Sequence, residues 1–298
     1  MISGEPSQTA LMVAVMRAYH HLNAPEPKIL RDSVALSLSG LPNADALSQY
    51  RDGLVGGFTA LSDAKTAEEF VTNIEHAVCM RSRVVEEHIE EGRSGGLKQL
   101  VILGAGLDST AYRCDHITNG MNIIEIDHPA TQAWKRERLT AAGVDIPENL
   151  RFVPFDFENK TLEQALTEGD VDFGAMTLFT WLGVHMYLTD ETVKATLSIL
   201  GRFPAGSELI MDFMKPDYAG EEVVMDDSIS QLQKTVSSMG EPLESLYTED
   251  ELRARLNTAG FGTVDFLSSK NLTDEYFGGN DDAYALPGPA TSILAAQI

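Results

Sequence analysis

The sequence predicts an α/β protein: a doubly wound, seven-stranded sheet with an N-terminal helical cap. Three observations predict it. Apolar strand-like runs alternate with helical patterns from Leu97 onward, a glycine turn directly follows the first run, and an acid ends the second.

From the N-terminus, the first expected element is a helix over Thr9 to Leu22, where Leu11, Val15, Ala18 and Leu22 recur near the 3.6-residue period. Pro25 and Pro27 stop it, and a second short helix is expected over Asp32 to Ser39. Gly53, Gly56 and Gly57 predict a bend or mobile loop. Thr66 to Glu91 is a long helical pattern closed by Gly92, Ser94, Gly95 and Gly96. Residues 1–95 therefore read as a cap without a core of its own, and residues 96–298 as the Rossmann-like core.

Strands are expected at Gln99 to Leu103, Met121 to Ile126, Leu150 to Pro154, Asp172 to Thr180, Ser207 to Phe213, Gly262 to Leu267 and Ser292 to Gln297. Helices between them include Ala130 to Ala142, Asp190 to Gly201 and Glu249 to Ala259. An excursion over residues 215–247, with Pro216, Gly220, Gly240 and Pro242, leaves the carboxyl end of the fifth strand. Ligands of such sheets lie outside those ends, so the excursion is placed to line a substrate pocket.

The composition excludes several function classes. There are 45 acids against 22 Lys plus Arg, a formal charge of −23, which repels nucleic-acid phosphates and anionic lipid and argues against either as a partner. No apolar run approaches the roughly 18 residues of a membrane span, and the N-terminus lacks the order of a signal peptide, so a cytoplasmic location is expected. Cys79 and Cys114 belong to no CxxC or Cys/His cluster and read as buried small hydrophobes, with no metal expected. The oligomeric state is not legible.

The segment from Gln99 to Trp134 carries the chemistry. Leu100 to Leu103 suit a strand buried on both faces, and Gly104 and Gly106 permit a tight turn and close backbone approach to a ligand. Asp108 or Ser109 is expected to cap a following helix. Asp127 stands 21 residues beyond Gly106, at the end of the second strand, where a carboxylate accepts from both ribose hydroxyls of an adenosine. A dinucleotide site wants GxGxxG, but the third position is Ser109, and Asp108 places negative charge where a pyrophosphate would lie. The cation S-adenosylmethionine, which has no phosphate, tolerates that charge and is favoured; a dinucleotide, or a turn with no ligand, remains open on these residues alone.

Longer strings extend this segment into a family resemblance. RSR at Arg81 to Arg83, VILGAGLDSTAYR at Val101 to Arg113 and EIDHPATQAWKRERL at Glu125 to Leu139 resemble the leucine carboxyl methyltransferase superfamily. The bacterial branch with tetracenomycin-type polyketide O-methyltransferases is the most similar. PSQTA at Pro6 to Ala10, LFTWLGVHMYLT at Leu178 to Thr189, AGF at Ala259 to Phe261 and YFGG at Tyr276 to Gly279 carry the likeness across nearly the whole chain. The resemblance implies a class I methyltransferase fold, S-adenosylmethionine as donor and methylation of an oxygen, often a carboxylate. It implies that Arg81 pairs with the methionine carboxylate, a role that suits a guanidinium fork, and that Arg83 supports it or a neighbouring acid. By the same resemblance Gly104, Ala105 and Gly106 line the donor, Asp127 binds its ribose, Asp156 accepts from the adenine amino group and Phe157 packs near the ring. His128, of the DHP string, orders the turn at the edge of this donor site, and Trp181 is counted with the donor-site residues. The chain departs from the family at Gln8, where Arg is frequent, and at Leu182, where many members read WEG instead of WLG.

A carboxylate acceptor is already ionised near neutral pH, whereas a phenol or alcohol usually needs a general base. His185, in GVHMY after the fourth strand, is the expected base or substrate contact, and Tyr187 and Trp181 are expected to form an apolar wall beside it. The histidines at 20, 21, 76, 88 and 116 form no recognisable constellation. The leading expectation is an S-adenosylmethionine-dependent O-methyltransferase acting on a carboxylate of a small molecule, a natural-product intermediate. The alternatives are a phenol or hydroxyl O-methyltransferase using His185 as base, and a non-catalytic donor-binding regulatory module.

Overall fold

In the computed structural model, residues 6–59, 63–156, 160–215, 243–268, 272 and 291–298 are described. Among them, seven strands form one sheet in the order β3-β2-β1-β4-β5-β7-β6. These are β1 (Gln99–Leu103), β2 (Asn122–Asp127), β3 (Leu150–Pro154), β4 (Thr177–Trp181), β5 (Glu208–Met214), β6 (Thr263–Leu267) and β7 (Thr291–Gln297). The first five run parallel, and β7 inserts antiparallel between β5 and β6. The sheet is therefore mixed; hydrophobic periodicity marks a strand without giving its direction. The chain leaves β1 toward β2 on one side and returns through β4 on the other. That reversal opens a crevice at the carboxyl ends of β1 and β4.

Alternation along the strands divides the core. Leu100, Ile102, Ile123, Leu178 and Ile210 face one way, against α1 (Gln8–Asn23) and α4 (Ala64–Gly95). Val101, Leu103, Ile124, Phe179 and Leu209 face the other, against α8 (Leu162–Glu168), α9 (Asp190–Leu200) and α10 (Glu249–Ala259). Period-2 side-chain geometry produces this split, since both faces of the central strands are covered. The 32-residue α4 buries Val71, Val78, Val85 and Ile89 along one stripe. Asp63 caps it by accepting from the amides of Lys65 and Thr66, and Gly96 ends it at φ 102°.

Four expected elements differ. Gly53, Gly56 and Gly57 lie inside a helix, α3 (Ala44–Thr59), rather than in a bend. Tertiary packing overrides their low propensity: Arg51 donates from α3 to Glu68 at 2.6 Å and Thr72 at 2.9 Å on α4, and Phe58 packs edge-on to Phe70 at 4.6 Å. Fourth-strand pairing begins at Thr177, not Asp172, because the Asp172 carboxylate accepts from the Gly174 amide at 2.8 Å and turns the chain. The short helix expected from Asp32 is α2 (Ala35–Ser39); Asp32 Oδ1 instead accepts from the amides of Val34 and Ala35 ahead of it. After the glycine turn, two four-residue pieces, α5 (Thr110–Arg113) and α6 (Asp115–Thr118), replace one continuous helix. Asp108, not Ser109, provides the cap, accepting from the Thr110 amide at 2.8 Å.

α7 (Pro129–Ala141) docks on β2 through a buried ion pair, Lys135 Nζ to Glu125 Oε2 at 2.6 Å. Burial pushes the Glu125 carboxyl up to about 7, although Lys135 opposes it. No helix among the described residues is long and apolar enough to cross a membrane.

Candidate functional site

A cavity of about 400 Å³ opens at the carboxyl ends of β1 to β5, roofed by the start of α1 and the middle of α4. Its floor is the glycine turn. Gly104 sits at φ +66°, and a Cβ there would drive into the Val184 side chain, so close packing and left-handed backbone both require glycine. The Asp127 carboxylate secures the turn by accepting from the Gly106 amide and, at 2.5 Å, from the His128 amide. Burial raises the Asp127 pKa, and those two backbone donors pull it back. His128 caps α7, its Nδ1 accepting from the Ala130 amide at 3.3 Å.

Gly104, Ala105, Gly106, Asp127, His128, Asp156, Arg81 and Tyr187 all line this one cavity. Three other expected site residues do not. Arg83 is two helical positions from Arg81, a rotation of about 200°; its side chain is 43% exposed and pairs with Glu87 at 2.7 Å. Trp181 alternates with its neighbours Thr180 and Leu182, which line the cavity, and so turns to the opposite face, where it is fully buried. His185 lies in a 3-10 turn (His185–Tyr187), buried behind the wall made by Val184, Met186 and Tyr187. Its ring stacks on Tyr247 at 5.9 Å and meets Trp181 edge-on at 6.0 Å. Neither ring nitrogen has a hydrogen-bond partner among the described residues, and burial lowers its pKa to about 4. The imidazole does not line the cavity. Phe157 and the YFGG string lie outside the described residues, as does most of the 215–247 excursion. Of the two departures, Gln8 is exposed, whereas Leu182 lines the cavity.

Sequence reading missed two parts of the site. Asp212, buried on β5, accepts from Arg81 Nη1 at 2.6 Å and from the Gly183 amide at 2.7 Å. Its signal was an acid set between apolar residues, Met211 and Phe213, of the fifth strand. The second is a buried polar network centred on Asp32, which accepts from Arg17 Nε at 2.9 Å and Ser109 Oγ at 2.5 Å. Arg17 also donates to the Leu107 carbonyl at 2.5 Å, and Arg113 Nε to Ser109 Oγ at 2.9 Å. Burial alone would raise the Asp32 pKa; Arg17, Arg113 and Ser109 outweigh it and hold the carboxyl below its ordinary value. This explains why the third position of the glycine pattern is serine: its hydroxyl ties the turn to the cap.

His20, Glu75 and His76 are a buried group of metal-ligand type. His20 Nε2 accepts from the Ile29 amide at 3.1 Å, and Nδ1 meets Glu75 Oε1 at 3.1 Å. Both ring nitrogens are thus engaged in the core, which fits a structural network.

The cavity's charges select among adenosine ligands. Asp108, Asp127, Asp156 and Asp212 line it against two cations, Arg17 and Arg81, each already paired with an aspartate. A pyrophosphate would face uncompensated negative charge, whereas the charge of a sulfonium cation is of the opposite sign to the lining's excess.

The leucine carboxyl methyltransferase family model matches residues 10–201. A protein of Bacillus subtilis (strain 168), named as a candidate S-adenosyl-L-methionine-dependent methyltransferase, is 29% identical over 296 residues, 95% of each chain. One from Mycobacterium marinum, similarly named, is 31% identical over 204 residues, 67% of this chain and 63% of its own length. Among solved structures, a candidate methyltransferase from Thermobifida fusca covers 99% of this chain and 96% of its own at a TM-score of 0.56 and 14% identity. A Streptomyces avermitilis protein covers 94% and 99% at 0.55 and 14%. At that identity the structures speak to fold, which they share with this class I methyltransferase sheet. Because the family match spans well over half the sequence, from α1 through α9, the chain belongs to the leucine carboxyl methyltransferase family.

Proposed function

We propose that the protein transfers the methyl group of S-adenosylmethionine to a carboxylate oxygen of a small-molecule acceptor. That it is a methyltransferase using this donor follows from its family and from the Bacillus relative spanning 95% of the chain. The carboxylate is our reading, and one observation carries it: His185, the residue best suited to deprotonate a phenol or alcohol, is sealed behind the cavity wall with its pKa lowered to about 4. A carboxylate needs no base, being ionised at neutral pH.

When bound, the donor supplies an electrophilic methyl on a positive sulfur. The protein's part is to position. Asp127 and Asp156 stand at the ends of β2 and β3 as acceptors for the adenosine, the turn at 104–106 admits close backbone approach, and Arg81 takes the amino-acid carboxylate. Met12, Val13, Ile74, Leu182 and Met186 give the wall an apolar stretch. They exclude water, and holding two reactants in line contributes on the order of 7–11 kcal/mol in favourable cases. The transfer forms an oxygen–methyl bond as the sulfur–methyl bond breaks, with the electron pair retained by sulfur and no proton moved. The 215–247 excursion serves the acceptor in this reading, since Met214 and Leu243, on either side of its undescribed part, line the cavity. A natural-product acid fits the apolar wall.

The test is product chemistry. Incubation with labelled donor and a panel of hydrophobic acids and phenols should yield a methyl ester that mild alkali cleaves. A product that survives alkali as an ether would remove the carboxylate reading and leave the methyltransferase intact.

A further inference from the structure

Asp212 carries an inference about the amino-acid end of the donor site. It is 1% exposed, yet it lines the cavity, and its two oxygens hold two different elements. Oδ2 accepts from Arg81 Nη1 on α4 at 2.6 Å, and Oδ1 accepts from the Gly183 amide in the turn after β4 at 2.7 Å. Gly183 sits at φ +70°, and a Cβ there would lie 3.0 Å from Arg81 Nη1, so the guanidinium rests directly on this turn.

We propose that Asp212 is a positioning residue, which fixes the Arg81 guanidinium and the Gly183 turn as a preformed receptor for the donor's aminocarboxylate. The inference rests on the reading of Arg81 as the partner of that carboxylate. A long arginine side chain free to sample rotamers would have to be ordered by each arriving ligand; tethered at Nη1, it is ordered beforehand, with its other N–H groups left for the ligand. Asp212 also sets the charge. An isolated buried cation would attract any anion, whereas the Arg81–Asp212 pair is formally neutral and presents a cation beside an anion, the complement of a zwitterion.

Calorimetric titration with two ligands tests this. S-adenosylhomocysteine carries the aminocarboxylate; 5′-methylthioadenosine keeps the adenosine and the sulfur but lacks it. Asp212→Asn retains an acceptor for the Gly183 amide and offers no charge to Arg81. It should weaken S-adenosylhomocysteine binding by about ten-fold or more while leaving methylthioadenosine within about two-fold. Combined with Arg81→Met, its effect should be far from additive. Equal weakening of both ligands, or no change in either, would overturn the proposal, the first by reducing Asp212 to a general structural role. Arg81→Met leaving S-adenosylhomocysteine unchanged would instead strike the reading of Arg81 and take the Asp212 proposal with it. A loss of folding in Asp212→Asn, visible by circular dichroism, passes the test to Gly183→Ala, whose Cβ displaces the guanidinium and should give the same ligand selectivity.

Discussion

A single histidine shows how far a residue's position decides its chemistry. His185 follows the fourth strand where a base would be useful, yet its ring stacks on Tyr247 and lies beside Trp181 in the core. Its pKa, lowered to about 4 by burial, ties the stability of the fold to pH. A free histidine titrates near 6.5. Above that pH both the folded and the unfolded chain hold it neutral, and it adds no pH dependence to stability. As pH falls from 6.5 toward 4, the unfolded chain takes the proton first and stability drops, by about 3 kcal/mol in total. Denaturant melts across this range should therefore be flatter for His185→Phe than for the wild type. Parallel pH profiles for the two proteins would show that the ring is not held neutral.

At the scale of elements, α3 is the clearest departure from sequence expectation. Among the described residues, and apart from the helix's own backbone and the adjoining residues, nothing lies within 4 Å of where a Cβ would stand on its three glycines at 53, 56 and 57, and none has a positive φ. Replacing each by alanine should add about 0.5–1 kcal/mol, read as a rise in melting temperature, because only the backbone entropy of the unfolded chain changes. A fall in stability would mean that these positions need glycine for a reason the packing does not reveal. Strands such as Gln99–Leu103 and Leu150–Pro154 were legible to the residue, since short apolar runs bounded by turn residues have few alternatives. The α3 helix was not, because its stability comes from Arg51 and Phe58 meeting α4, partners that no local pattern names. The site divides the same way. The glycine turn and Asp127 are local signals at the end of neighbouring strands. Arg83 and Trp181 came from the motif, and helical rotation and strand alternation turn them away from the cavity, Arg83 onto the neighbouring acid Glu87; Asp212 meets Arg81 from 131 residues away and Asp32 meets Ser109 from 77.

For the molecule as a whole, the charge of −23 has a kinetic consequence. S-adenosylmethionine carries net positive charge and its demethylated product does not, so the protein's field draws the donor in and is indifferent to the product. The association rate of the donor should fall as salt rises toward 0.15 M, where screening sets in over about 8 Å, while that of S-adenosylhomocysteine should stay nearly constant. Stopped-flow measurements with both ligands check this; an equal salt response would show that the acidic surface does not steer the donor.

Ser109 sets a limit on redesign. Its hydroxyl donates to the buried Asp32, which also receives Arg17 from α1. Installing a glycine there would complete a dinucleotide fingerprint on paper and still give no dinucleotide enzyme. The change would strip a donor from a buried carboxylate and loosen the cap from the turn, with Asp108 still capping the start of α5 where a phosphate would have to sit. Converting this scaffold to another cofactor would have to begin at Asp32 and Asp108, two acids outside the three glycine positions, and the serine would be the last residue to change.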